Sequence, residues 1–386
     1  MVQLSNGSSR IYGEAAFEIL AKAQALEKKG KSILHFEIGE PDMKTPMNVV
    51  EAGIKAIKDN KTHYVPSIGV DELRKAVQNE VGKTRGYRPD LEQIVITPGL
   101  KPGIFFSMLS IVNPGDEVIY QDPSYPTYGS VTSFLGAKGV LIPLLEENDF
   151  RMNPDDIKKR INNKTKLIVI NSPQNPTGSV ITKNELMEIA EIAEDFDIFI
   201  ISDEIYSKMT YETTHYTPTL RDEAKDRTVL LDGFSKYYAM TGWRLGYMVT
   251  PIEMANRLQD FLVSAISCTT SFTQWAGIEA LTGDQTFITD MMKRFIKKRD
   301  RIVKGLNSIS GFNCLSPKGA FYVFPNIKNT KMTSEKCANY LLNKAGVAVL
   351  PGTAFGPGGE GYLRFSYANS IENIDEAIER IKQLFE

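Results

Sequence analysis

Between about residues 90 and 250 the chain alternates short, apolar, β-favouring runs with longer stretches of helical periodicity. IVIT (94–97) is followed by a helix-like run from Pro102 to Val112, then by DEVIY (116–120) and GVLIPL (139–144). TKLIVINS (165–172), a helical stretch over 182–195, DIFIIS (197–202) and TVLLDGF (228–234) continue the pattern. Runs such as LIVI and IFII are apolar at every position, as strands covered on both faces must be. A chain of this kind folds as an α/β unit around a mainly parallel sheet with right-handed crossovers. Ligands of such sheets sit beyond the carboxyl ends of the strands, so the residues that follow each run are the candidate site.

The flanks read differently. Residues 14–30 form a helical pattern that stops at Gly30, a candidate C′ glycine. From about residue 285 a basic amphipathic helix leads into short strands, including GAFYVFP (319–325) and GYLRFSYA (361–368). A final helix, SIENIDEAIERIKQLF, has Ser370 or Asn373 as its candidate N-cap. The expected division is a large α/β domain over 47–284 and a smaller α+β domain built from 1–46 and 285–386.

Composition removes several classes of function. Lys plus Arg is 45 and Asp plus Glu is 47, a net charge of −2, so there is no electrostatic footprint for nucleic acid or an acidic membrane. With 42% hydrophobic and 24% charged residues, a disordered or fibrous chain is also excluded. Cys268, Cys314 and Cys337 form no CxxC pair or disulfide framework, and His35, His63 and His215 show no metal-ligand spacing, so no metal is expected. The segment MVQLSNGSSR has no apolar h-region, and no stretch approaches the ~20 apolar residues of a membrane span. The expected location is the cytoplasm.

Several segments that follow strands carry chemistry. In DGFSKYYAMTGWRLGY (232–247), Lys236 comes just after an apolar strand, and reads either as a solvated amine or as a Schiff-base nucleophile. Arg244 lies eight residues on, between small residues that permit close backbone approach. NSPQNPTG (171–178) is a stiff polar loop after a buried strand, either a plain rigid turn or a pocket edge bearing Asn175. Asp203, in SDEIYSK, ends another buried strand. It is either a helix N-cap or a carboxylate awaiting a cation such as a pyridinium N–H, with Tyr206 three residues later. TPGLKPG (97–103) offers backbone N–H groups at a helix start to an anion. Tyr125 in DPSYPTY can stack on a flat ring or simply pack. Arg364 in LRFSYA suits either a structural ion pair or bidentate binding of a carboxylate.

Taken together and in this order, these segments closely resemble the class I/II aminotransferases, the fold-type-I enzymes dependent on pyridoxal 5′-phosphate, in their bacterial and archaeal aspartate aminotransferase branch. The resemblance runs from IGEPDMKTP (38–46) to the final helix, with NPTG, SDEIY and SKxxxMTGWRLG as its most specific motifs. It implies that Lys236 holds the cofactor as a Schiff base and moves the substrate α-proton. Asp203 would pair with the pyridinium nitrogen, Tyr206 and Asn175 would bond the ring's phenolic oxygen, and Tyr125 would stack on the ring. The phosphate would be held at the turn Gly99-Leu100-Lys101, by Ser235 and Arg244, and by Tyr64 of a neighbouring subunit, which implies a homodimer. Arg364 would bind the substrate α-carboxylate with Asn175 and the backbone at Gly39.

The implied activity is transfer of an amino group from an L-amino acid, aspartate first, to 2-oxoglutarate by a ping-pong mechanism. The alternatives are a β-lyase on the same fold, and a non-enzymatic regulator, against which stand the mere 37 residues before Ile38. Three departures from the family pattern matter. Gly233 stands where many relatives have Ser, the turn at 99–101 reads Gly-Leu-Lys where relatives often show Gly-Gly-Lys or Gly-Ala-Lys, and GEAAF (13–17) offers no evident partner for a substrate side-chain carboxylate.

Overall fold

The computed structural model describes residues 4–386. A short strand, β1 (Leu34–His35), precedes the seven strands of the central sheet. These are β2 (Ile94–Thr97), β3 (Glu117–Asp122), β4 (Lys138–Pro143), β5 (Thr165–Asn171), β6 (Phe199–Asp203), β7 (Thr228–Gly233) and β8 (Gly246–Val249). Their order across the sheet is β2-β8-β7-β6-β5-β3-β4. All neighbouring pairs are parallel except those of β8, which runs antiparallel to both β2 and β7.

The apolar runs become strands because both faces are covered. In β5, Leu167 and Val169 pack into one core with the helices Leu100–Ile111 and Ile252–Ile266, while Ile168 and Ile170 point into another with the helix Lys183–Asp195. That last helix starts where Thr182 and Glu185 form a reciprocal capping box.

Sequence reading misses β8, because GYMV gives no turn signal ahead of it and follows the glycine-rich site segment directly. It also starts the helix that follows β2 two residues late. The structure begins it at Leu100, immediately after Gly99 at φ +83°, a left-handed setting that favours glycine.

The remaining strands are short: β9 (Tyr322–Val323), β10 (Val347–Ala348), β11 (Leu350–Pro351) and β12 (Leu363–Ser366). β1 pairs with β10 in parallel, and β12 lies between β11 and β9. The long helix Thr286–Leu306 packs on the final helix Ile371–Phe385, whose N-cap is Ser370: its hydroxyl accepts from the Asn373 N–H over 3.0 Å.

Candidate active site

The carboxyl ends of β5, β6 and β7 open on a cavity of about 470 Å³. Eleven residues singled out in the sequence line it: Gly39, Leu100, Lys101, Tyr125, Asn175, Asp203, Tyr206, Ser235, Lys236, Arg244 and Arg364. Gly99 lies behind Arg244. Tyr64 is not among the lining residues and is 87% exposed.

Lys236 sits three residues beyond β7. Its Nζ donates to the Gly39 carbonyl over 2.6 Å and has no carboxylate in ion-pair contact among the described residues. Burial, reinforced by the nearby charge of Arg364, lowers its pKa to about 8. An amine so placed exchanges protons near neutrality, which a solvated lysine does not.

Asp203 is the last residue of β6 and is buried. Its Oδ2 accepts from the Tyr128 hydroxyl over 2.7 Å and its Oδ1 from the Ile205 N–H over 3.3 Å. Burial raises its pKa to about 6 against those two hydrogen bonds. No cation of the protein pairs with it among the described residues, although its neighbour Glu204 has two side-chain partners, Arg85 and His215. Arg85 Nε lies 3.0 Å and His215 Nε2 2.9 Å from Glu204, and together they outweigh burial and hold that carboxyl down at about 2. Asp203 is thus a carboxylate left for a cation from outside the chain.

Beside it, the Asn175 backbone N–H donates to Asn171 Oδ1 over 2.9 Å, and Asn171 Nδ2 donates to the Asp203 carbonyl over 3.0 Å. The loop end is thereby fixed to the strand end. The Tyr206 and Tyr322 hydroxyls are 2.7 Å apart.

At the other end, the first turn of the helix Leu100–Ile111 presents its unpaired N–H groups. Arg244, at φ +53°, bonds the Thr241 carbonyl through Nη1 at 2.8 Å and lays Nη2 against Gly99. A Cβ at Gly99 would come within 2.4 Å of that Nη2. Helix start, guanidinium and the Ser235 hydroxyl make a cradle for an anion.

Arg364 projects from β12 and is buried. It donates through Nη1 to Asn175 Oδ1 at 3.3 Å and through Nη2 to the Glu37 carbonyl, while its Nε is buried without a partner. A desolvated guanidinium with neutral partners and an idle N–H is a receptor for a carboxylate.

The donor set therefore fits pyridoxal phosphate: an anion cradle, a ring wall at Tyr125, an unpaired carboxylate at Asp203 and a low-pKa amine at Lys236.

Among the other lining residues, Glu14, Tyr128, Asn171 and Tyr322 have no role assigned from the sequence. Tyr128 and Asn171 lie inside DPSYPTY and NSPQNPTG, so their segments carried the signal. Tyr322 and Glu14 reach the cavity from the flanks, where nothing local marks them.

Residues 31–381 match the family described as aminotransferase class I and II. An aspartate aminotransferase of Pyrococcus horikoshii is 42% identical over 96% of this chain and 94% of its own. A (5-formylfuran-3-yl)methyl phosphate transaminase of Methanocaldococcus jannaschii is 41% identical over 97% of this chain and 98% of its own. The structure of Thermus thermophilus aspartate aminotransferase with maleate superposes with a TM-score of 0.96 at 34% identity, each chain covered in full (100%). On the family match over residues 31–381 and these relatives, this chain belongs to the class I and II aminotransferases and is a pyridoxal-phosphate-dependent transaminase.

Proposed function

We propose that the enzyme takes the amino group of an L-amino acid and passes it to a 2-oxo acid in two half-reactions of a ping-pong mechanism. 2-Oxoglutarate is the proposed acceptor and aspartate the first donor to test. The observation that carries this reading is the presence in one cavity of an amine, Lys236, and a guanidinium, Arg364, neither with a carboxylate partner among the described residues.

Pyridoxal phosphate, when bound, supplies an electron sink for the bonds at the substrate Cα. Leu100 and Lys101 N–H groups, Ser235 and Arg244 would hold its phosphate, Asp203 its ring nitrogen, Tyr206 and Asn175 its phenolic oxygen, and Tyr125 its ring face. Arg364 and Asn175 orient the substrate by its α-carboxylate, with the backbone at Gly39 closing that side. Lys236 Nζ, with its pKa near 8, would take the proton from the substrate Cα and hold it for the return transfer.

Tyr64, a large aromatic left exposed by its own chain, is proposed to complete the phosphate site of a second copy in a homodimer. The division into 47–284 and a smaller unit of 1–46 with 285–386 belongs to the same proposal, supported by the pairing of β1 with β10. So does a cytoplasmic location; among the described residues no helix is long and apolar enough to cross a membrane.

The test is an absorbance spectrum of the protein loaded with pyridoxal phosphate, before and after a panel of L-amino acids. Conversion to the pyridoxamine form by an amino acid and recovery with 2-oxoglutarate are expected. Release of pyruvate and ammonia without any 2-oxo acid would overturn transamination in favour of a lyase.

A further inference from the structure

The segment ahead of the first helix is strapped across the helix Pro126–Phe134. Arg10 Nη2 donates to the Phe134 carbonyl over 2.9 Å, and the Tyr12 N–H donates to Ser130 Oγ over 3.0 Å. The strap delivers Glu14 to the mouth of the cavity. There Glu14 Oε1 accepts from the Tyr125 hydroxyl over 2.8 Å and forms an ion pair with Lys101.

Four cations line the cavity: Lys101, Lys236, Arg244 and Arg364. Among the described residues, Lys101 alone of the four has a carboxylate partner. The other three have tasks in the proposed function, toward the cofactor and the α-carboxylate. The Lys101 ammonium has none, and the chain pairs it with a carboxylate of its own.

Substrates of such an enzyme differ in whether the side chain carries a second carboxylate. Two carboxylates beside one ammonium repel each other, so an acidic side chain and Glu14 compete for Lys101. Glu14 retains some solvent exposure and ends a loop, so it has somewhere to go.

We infer that Glu14 is a specificity-determining residue that stands in for a substrate's second carboxylate. It neutralises Lys101 while the bound side chain is uncharged, and an acidic substrate reaches Lys101 by displacing it. This inference rests on the transaminase reading of the site and deepens it: the cavity takes both substrate classes, and Glu14 handicaps the acidic one.

The test uses the holoenzyme and Glu14→Gln, which keeps an acceptor for Tyr125 and removes the charge. Half-reactions are followed with L-glutamate, L-aspartate, L-alanine and L-phenylalanine. The ratio of kcat/KM for acidic over uncharged substrates is expected to rise about tenfold, mostly through KM. Succinate binding, followed by calorimetry, is expected to tighten by a similar factor, and adding Lys101→Gln removes both gains. A shift common to all four amino acids, or an unchanged ratio with unchanged succinate affinity, overturns the inference. If no amino acid gives a half-reaction, the transaminase reading fails, and the succinate titration alone then decides whether Glu14 guards Lys101.

Discussion

The Tyr128 hydroxyl donates to Oδ2 of Asp203 across 2.7 Å, with both side chains buried. Tyr125 is the N-cap of the helix Pro126–Phe134, and Tyr128 lies in its first turn, so one helix start supplies both a wall of the cavity and the clamp on its carboxylate. The clamp favours the ionised form of Asp203 and burial opposes it. Burial wins, and the carboxyl titrates at about 6 in the protein without cofactor.

Tyr128→Phe removes the clamp without opening a void. A hydrogen bond to a charged group contributes about 1.5–3 kcal/mol, so Asp203 should hold its charge less firmly and its hold on the cofactor ring should slacken. The expected result is a roughly tenfold loss of kcat, or more, with the acidic limb of the pH–rate profile moved upward. An acidic limb that stays in place while kcat falls would mean that Tyr128 does not act through Asp203.

The raised pKa of Asp203 also predicts how stability follows pH. A carboxyl that titrates at about 6 folded and near 3.8 unfolded binds its proton more tightly in the native state. Its contribution is fully present below the unfolded value and is lost as pH rises through about 6. Ionised and without a cofactor, it costs the native state up to about 3 kcal/mol. Asp203→Asn should therefore raise the Tm of the cofactor-free protein at pH 8 and match the parent at pH 4. The same variant loses transamination. A variant less stable than the parent at pH 8 would show that Asp203 is not strained by its burial.

The sheet was legible because strands buried on both faces leave continuous apolar runs, and the site because its residues follow those runs directly. Asp203, Asn175 and Lys236 all stand within a few residues of a strand end, where sequence order and spatial order coincide. β8 was not legible: GYMV is short and its antiparallel partners, β2 and β7, are set by the hairpin that carries Lys236 and Arg244. Tyr322 and Glu14 were missed for a different reason. Each meets its partner, Tyr206 or Lys101, only through the folding of distant segments, 116 residues apart in the first case. The segment GEAAF does offer no partner for a side-chain carboxylate; what the sequence does not show is the ion pair that Glu14 forms with Lys101.

Gly99 tests the anion cradle. Its φ of +83° disfavours any side chain, and a Cβ there would press on Arg244 Nη2 at 2.4 Å. Gly99→Ala should cost about 1–3 kcal/mol through the backbone alone. Because Arg244 must also move, affinity for pyridoxal phosphate should fall about tenfold or more, measured by fluorescence titration. Stability lost without a change in cofactor affinity would place the phosphate elsewhere.

Lys236→Ala should abolish turnover yet leave pyridoxal phosphate bound noncovalently, because the cradle, Tyr125 and Asp203 remain. In the parent protein, covalent capture of the cofactor needs the unprotonated amine. With a pKa of about 8, the capture rate should climb steeply between pH 7 and 8 and flatten above pH 9. A rate still climbing at pH 10 would mean that Lys236 titrates as an ordinary lysine.

Arg364→Lys separates charge from geometry at the α-carboxylate. Arg364 is held on three sides: Nη1 by Asn175, Nη2 by the Glu37 carbonyl, and the guanidinium plane by the Tyr322 ring, whose centroid is 4.6 Å away. Lysine keeps the positive charge but offers no planar fork and cannot stack as a plane. Losing a bidentate pair in a desolvated site should lower kcat/KM by about 10²-fold or more for every amino acid, acidic or not. The loss should be common to all substrates because the α-carboxylate is common to all, in contrast to Glu14→Gln, which discriminates among them. If Arg364→Lys instead harmed acidic substrates alone, Arg364 would be the receptor for the side chain, and the orientation of the substrate in this cavity would have to be reversed.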